Sequence, residues 1–166
     1  MGGRRDLTPT AAIFNAHVRD NLLFLYGAPA CRVYHNAAQA TTTGVAFQLD
    51  FNTERFDNDT MHGATTNVIT FTTAGRYLLI ANVEFVANAT GYRLCRIRHF
   101  SVADLASEVL PVVSAAAATV MNVGTIYSFA AAAIAEADVL QTSGGNLNVN
   151  STGNYSPEFM AHWMGN

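Results

Sequence analysis

Four carboxylates fall within ten positions, at Asp50, Glu54, Asp57 and Asp59, and oxygen-rich clusters of this kind are where a hard cation such as calcium binds. Read as an EF-hand loop opening at Asp57, the run puts Gly63 one position late for the turn glycine and Val68 where the closing Glu belongs, which excludes that loop. A solvated acidic loop is the expected role. The five histidines, His17, His35, His62, His99 and His162, are scattered with no close pair at helical or strand spacing, so no metal ligand set is expected from them. Arg93, Arg96 and Arg98 cluster within six residues, and two readings of them stay open: recognition of a phosphate or sialic-acid-like ligand, or salt bridges to the acidic loop across an interface. There is no nucleophile elbow, phosphate loop or zinc spacing. The expectation is therefore a protein that is not an enzyme, with no cofactor and no metal. Cys31 and Cys95 stand far apart in sequence and are expected to be buried free thiols.

These side chains must be positioned by strands. From Thr72 to Phe100 the chain reads TTAGRYLLIANVEFVANATGYRLCRIRHF, two long strand-like runs around a polar turn. In the first run Tyr77, Leu79, Ala81, Val83 and Phe85 alternate with Asn82 and Glu84, the period of a strand with one buried face. Asn88-Ala89-Thr90-Gly91 is a turn cluster, and the second run, Tyr92 to Phe100, is expected to return antiparallel as a hairpin. Further strands are expected near Cys31 to His35, Val45 to Leu49, Val68 to Thr72, Val109 to Val113, Val120 to Phe129, Val139 to Thr142, Leu147 to Val149 and Phe159 to Trp163. Eight or more short strands with polar turns indicate an all-β sandwich, barrel or jelly roll. Ahead of them, Thr8-Pro9 is a helix-start signature, and Ile13, Phe14, Val18, Leu22 and Leu25 recur at helical spacing, predicting one amphipathic helix from Pro9 to Leu25. Gly27-Ala28-Pro29 separates it from the β body. The division expected is a helical arm over 1–29 and a β domain over 30–166.

Composition narrows the partners. Only 13% of the 166 residues are charged while 50% are hydrophobic, yet no run approaches the roughly 18 apolar residues of a membrane span. A net charge of -3 gives no electrostatic footprint for nucleic acid. Asn15, His17, Arg19, Asp20 and Asn21 interrupt the region where a secretory signal needs an apolar core, and Asp6 stands where a myristoylation motif wants Ser or Thr. Leu78, Ile80 and Val86 are apolar on the strand face opposite Tyr77, Leu79 and Val83, leaving a second surface to cover, which predicts self-association.

Ala74-Gly75-Arg76-Tyr77 leading into a long alternating strand, Ala137-Asp138-Val139 before a late strand, and a terminal Phe159-x-Ala161-x-Trp163 strand resemble the trimeric jelly roll of the tumour necrosis factor and complement globular-head superfamily. The resemblance covers roughly Ala30 to Gly165; the family usually carries Gly where this chain has Ala137 and Ala161. Within it, Phe51-Asn52-Thr53-Glu54-Arg55-Phe56-Asp57, Met61-His62, Asn82-Val83-Glu84-Phe85 and Gly91-Tyr92-Arg93 look most like the versions carried by tailed-bacteriophage virion proteins, and the arm from Leu7 to Leu22 is similar to the leader ahead of such domains. The resemblance implies an antiparallel jelly-roll sandwich behind an N-terminal amphipathic helix. It implies a structural phage protein, made in the host cytoplasm and carried on the exterior of the virion. There it would be a homotrimeric capsid decoration whose partners are itself and the major capsid protein or other virion proteins, with neither nucleic acid nor membrane bound directly. Attachment would fall to Pro9, Ile13, Phe14, Val18 and Leu22, and Tyr77, Leu79, Val83, Phe85, Phe159 and Trp163 are candidate trimer contacts. The alternative it implies is a receptor-binding or fibre-tip protein recognising a host-surface glycan.

Overall fold

The computed structural model describes residues 10–63, 67–112, 114 and 116–165. One helix, α1 (Ala11–Tyr26), precedes twelve strands: β1 (Ala30–Tyr34), β2 (Gln39–Thr41), β3 (Phe47–Gln48), β4 (Thr53–Asp57), β5 (Val68–Thr70), β6 (Gly75–Phe85), β7 (Tyr92–His99), β8 (Ala103–Pro111), β9 (Thr119–Phe129), β10 (Ile134–Gln141), β11 (Leu147–Val149) and β12 (Glu158–Gly165). They form two antiparallel sheets. The larger, seven-stranded sheet runs β2-β11-β6-β12-β1-β4 with β9 along the other side of β6, and the five-stranded sheet runs β3-β10-β7-β8 with β5 against β10.

The sheets face each other across one core. Along β6 the buried set Tyr77, Leu79, Ala81, Val83 and Phe85 points inward, and it meets Cys95, Ile97, Ala135, Ala137 and Val139 of the opposite sheet. One end of the core is aromatic: Phe71 stacks on Phe129 at 3.9 Å and tilts against Tyr77 at 4.5 Å, and the Tyr77 hydroxyl donates to the Thr73 carbonyl at 2.7 Å. Stacked and tilted rings of this kind add to the burial they already gain.

The expected hairpin does not exist as such. β6 pairs with β9, β12 and β11, while β7 pairs with β8 and β10 in the other sheet, so residues 86–91 cross between the two walls of the sandwich. Both runs have one buried face, and a sandwich buries the two faces against each other where a hairpin would leave them side by side. Three segments expected as loop are strands: Gln39–Thr41, Thr53–Asp57 and most of Ala103–Pro111. Thr53–Asp57 is held by pairing with β1, through a bulge between Arg32 and Val33.

Five of the six candidate trimer contacts are also corrected. Tyr77, Leu79, Val83, Phe85 and Phe159 are each 0% exposed inside the protomer's own core, which leaves no side-chain surface for a neighbour. Trp163 differs, half-buried at the rim of the sheet. Its ring meets the Phe24 ring of α1 edge-on at 4.9 Å, its indole N–H donates to the Ala74 carbonyl at 3.2 Å, and its backbone N–H donates to the Pro29 carbonyl at 2.8 Å.

The helix begins two positions inside the expected start, and Thr10 is the residue seen to cap it: the Ile13 N–H donates to the Thr10 hydroxyl at 3.3 Å. Thr8 and Pro9 lie outside the described residues. The predicted single stripe is not what the helix presents. At about 100° per residue, Phe14, Val18, Leu22 and Leu25 share one arc, whereas Ile13 and Phe24 fall on a second, about a third of a turn away.

Candidate functional site

In an antiparallel sheet, residues in register point to the same side, so the outward face of the larger sheet can be read row by row. The first row is Ala30, His162, Leu78 and Ile126. The second is Phe56, Arg32, Met160, Ile80 and Gly124. The third is Tyr34, Glu158, Asn82 and Asn122, and beyond it Glu84 pairs with Val120. The face is therefore divided. Its first two rows are mostly apolar, with Phe56 51% and Ile126 56% exposed, and Leu78, Ile80, Met160 and Phe56 border a dimple of about 100 Å³. Ligand cavities for drug-sized molecules measure about 300–1,000 Å³, so the dimple has room for one aliphatic side chain rather than a substrate.

The polar rows are internally satisfied. Glu158 has a fully buried carboxylate, held by Arg32 Nε at 2.6 Å and Arg55 Nε at 2.5 Å. The same two guanidinium groups donate to the carbonyls of Asn154 (2.6 Å) and Gly153 (2.9 Å), and Arg55 lies 4.1 Å over the Tyr34 ring. Glu84 accepts from Asn150 Nδ2 (2.7 Å), Thr152 Oγ1 (3.1 Å) and the Tyr155 hydroxyl. Burial pushes this carboxyl up, and the three hydrogen bonds together outweigh burial, leaving it below its ordinary value. Two buried carboxylates thus tie residues 150–156 down onto the sheet. Tyr155, the conspicuous aromatic of the late loops, has its hydroxyl committed to that tie.

The chemistry-bearing residues do not converge. Asp57 accepts the backbone N–H of His62 (2.8 Å) and of Asp59 (3.1 Å), closing the loop on itself, while Asp59 accepts the Thr72 hydroxyl. The buried His62 ring lies between Glu54 Oε1 and the Phe51 carbonyl oxygen, each at 3.0 Å. Arg96 and Arg98 find their carboxylates in the same protomer, on β8 and β10 and not in the acidic loop: Asp104 at 3.1 and 2.8 Å, Asp138 at 3.0 Å and Glu136 at 3.0 Å. Burial and the Asp138 charge push Glu136 up, against the pull of Arg98 and Arg96.

Arg93 is fully buried and has no carboxylate among its hydrogen-bond partners. It gathers the carbonyls of Thr90 (3.0 Å), Tyr92 (3.0 Å) and Asn88 (3.3 Å), which organises the crossing between the sheets. Cys31 and Cys95 are buried and unbridged, as expected.

Two further features belong to the outward face. β9 pairs with β6 through all eleven positions without a bulge, and among the described residues no strand pairs along its other side. Its sequence, TVMNVGTIYSF, has no charge and no proline, so its own side chains supply none of the usual devices that keep an edge strand from pairing with another chain; Glu108 of β8 takes one of its N–H groups, that of Asn122, at 3.3 Å. The second feature is α1, whose Ile13, Phe14, Val18, Leu22 and Leu25 are all exposed. Sequence reasoning found the helix residues and Leu78 with Ile80, but missed Phe56, Ile126, Val120 and Met160. The alternation of Val120, Asn122, Gly124 and Ile126 against Met121 and Val123 was the available signal for the outward side of β9.

No protein-family model and no curated protein matches the chain. Among the described residues no helix is long and apolar enough to cross a membrane. Solved structures do match. The globular domain of the zebrafish complement 1qA protein aligns at 15% identity and TM-score 0.56, covering 82% of this chain and 97% of that one. Murine APRIL at pH 5.0 aligns at 9% identity and TM-score 0.61, covering 82% and 98%. The Eiger TNF of S. frugiperda aligns at 8% identity and TM-score 0.58, covering 82% and 92%. At these identities the likeness is one of fold, and the chain has the fold of the globular jelly-roll heads of the tumour necrosis factor and complement type.

Proposed function

We propose that this chain is a structural, non-catalytic protein that assembles as a homotrimeric head and decorates the exterior of a phage capsid, attached through its 1–29 arm. The observation that carries self-association is the apolar half of the outward sheet face beside an uncharged edge strand. Leu78, Ile80, Met160, Phe56 and Ile126 form one continuous patch, and Val120 lies further along the same edge. Patches of this kind on a β protein mark an interface. A patch on the face of one subunit meeting the edge of the next is a heterologous contact, which closes into a ring when the rotation allows. The virion assignment rests on the sequence wording from Phe51 to Asp57, at Asn82 to Phe85 and in the arm.

The test has two arms. Sedimentation equilibrium of the full chain at micromolar concentration is expected to give three times the chain mass, and a monomer overturns the trimer. A chain lacking residues 1–26 is expected to remain a folded trimer and to fail to bind particles stripped of the protein. Binding equal to that of the full chain would move the attachment site to the head.

A further inference from the structure

The apolar half of the sheet face continues past the sheet. The Pro29 carbonyl, which leads into β1, accepts the Trp163 backbone N–H, and Phe24 of α1 packs on the Trp163 ring, so the C-terminal end of the helix is held at the corner where the first row begins. From that corner Leu25, Leu22, Val18 and Phe14 run along the helix, 64%, 59%, 40% and 59% exposed. At about 100° per residue they share an arc of about 80°.

We propose that this strip is covered by the same strip of two further copies, so that the three α1 helices form a parallel three-helix stalk continuous with the trimer of heads. The proposal rests on the trimer reading and specifies what the arm does within it. Three observations favour a second copy of this chain over another occupant. First, α1 ends at the corner where the apolar patch begins, and a three-fold ring built through that patch brings the three equivalent corners to one level around its axis. Second, the strip is uncharged, and Arg19 and Asp20, the charged residues of α1, pair with each other at 3.0 Å; parallel copies then meet without like-charge repulsion along the seam. Third, Ala11, Phe14, Val18, Asn21 and Leu25 follow the alternating three-and-four spacing of a coiled-coil seam. Asn21 is a single polar residue in that seam, of the kind that sets register at some cost in stability.

A helix of 16 residues is marginal alone in water. Tethering three of them to one head raises their effective concentration into the millimolar range, where a seam this short can hold.

The test is oxidative cross-linking of the full chain carrying Val18→Cys, with Asp20→Cys on the opposite side of the helix as comparison and Phe14→Cys as a second seam position. All three positions are exposed, and the natural thiols are buried. Both seam variants are expected to form covalent dimers within the trimer roughly tenfold or more faster than Asp20→Cys, independent of protein dilution. Equal rates, or no cross-linking, in a chain that still sediments as a trimer would overturn the stalk, leave the trimer standing and assign the strip to a virion partner. A monomer would overturn both.

Discussion

Burial holds the acidic protons of Tyr77, Cys95 and Cys31 on their side chains in the core. Burial pushes the Tyr77 phenol from its ordinary 10.0 up to about 12, with the Asp59 carboxylate adding to it. Burial likewise pushes the Cys95 thiol from 9.0 up to about 12, with Glu108 and Asp138 adding. Between the ordinary and the raised value the unfolded chain has released a proton that the folded chain retains, so rising pH favours the unfolded state. Their contribution to stability is complete below about pH 9 and is lost progressively toward pH 12, with each unit of separation corresponding to about 1.4 kcal/mol at most. Urea midpoints measured under reducing conditions should therefore fall steadily from about pH 9 to 11, and Cys95→Ala should flatten the first part of that decline. A midpoint constant across this range would place both groups in contact with water. Of the polar residues singled out at the start, Arg93 gathers carbonyls at the crossing and Asp57 closes the turn before His62, while Glu158 and Glu84, which were not, tie down the late loop.

At the scale of elements, the crossing from β6 to β7 is the step on which the sandwich depends. Gly91 adopts φ +75°, and a Cβ there would lie 2.0 Å from the Thr142 carbonyl oxygen. That oxygen belongs to backbone that cannot yield freely, because the Thr142 N–H donates to the Tyr92 carbonyl (3.2 Å) and the Thr142 hydroxyl accepts the Tyr92 N–H (2.9 Å). Gly91→Ala combines left-handed strain of about 1–3 kcal/mol with this collision. A loss of roughly 5–10 °C or more in Tm is expected by calorimetry. An unchanged Tm would show that the crossing is not pinned at this point. Gly44, whose φ is +73° but whose Cβ would meet nothing within 4 Å, provides the comparison, since Gly44→Ala bears the backbone strain alone.

At the scale of the whole molecule, the inward and outward faces of the larger sheet should respond differently to substitution. Phe56→Asp and Ile126→Asp alter side chains that are half exposed in the protomer. Each should weaken association by about ten- to 150-fold, the equivalent of about 1.5–3 kcal/mol of lost apolar burial, while leaving the thermal stability of the dissociated protomer close to unchanged. Phe159→Ala, inside the core, should instead cost the protomer about 3–5 kcal/mol. Sedimentation and thermal unfolding of the three variants separate these outcomes, and dissociation by Phe159→Ala without loss of protomer stability would return the interface to the residues expected from sequence.

The same contrast marks where sequence information ends. Most of the strands, the parity of β6, a helix ahead of the β body, the positive φ at Gly91 and the unpaired thiols were legible because each depends on local sterics or on a short repeat: alternation with period two, recurrence at 3.6, the freedom of glycine at positive φ. Pairing was not legible. Backbone hydrogen bonds are nearly indifferent to side-chain identity, so two runs with one buried face each fit a hairpin or opposite walls of a sandwich equally well, and only the packed core separates β6 from β7. Parity sorted Tyr77, Leu79 and Val83 from Leu78, Ile80 and Val86, but both sets are apolar. Which set became core was decided by what lies across each face: Phe71, Phe129, Ile97 and Val139 cover the first set inside the sandwich, whereas Leu78 and Ile80 are flanked by Ile126, Met160 and Phe56 on a surface that, among the described residues, no other element of the protomer covers.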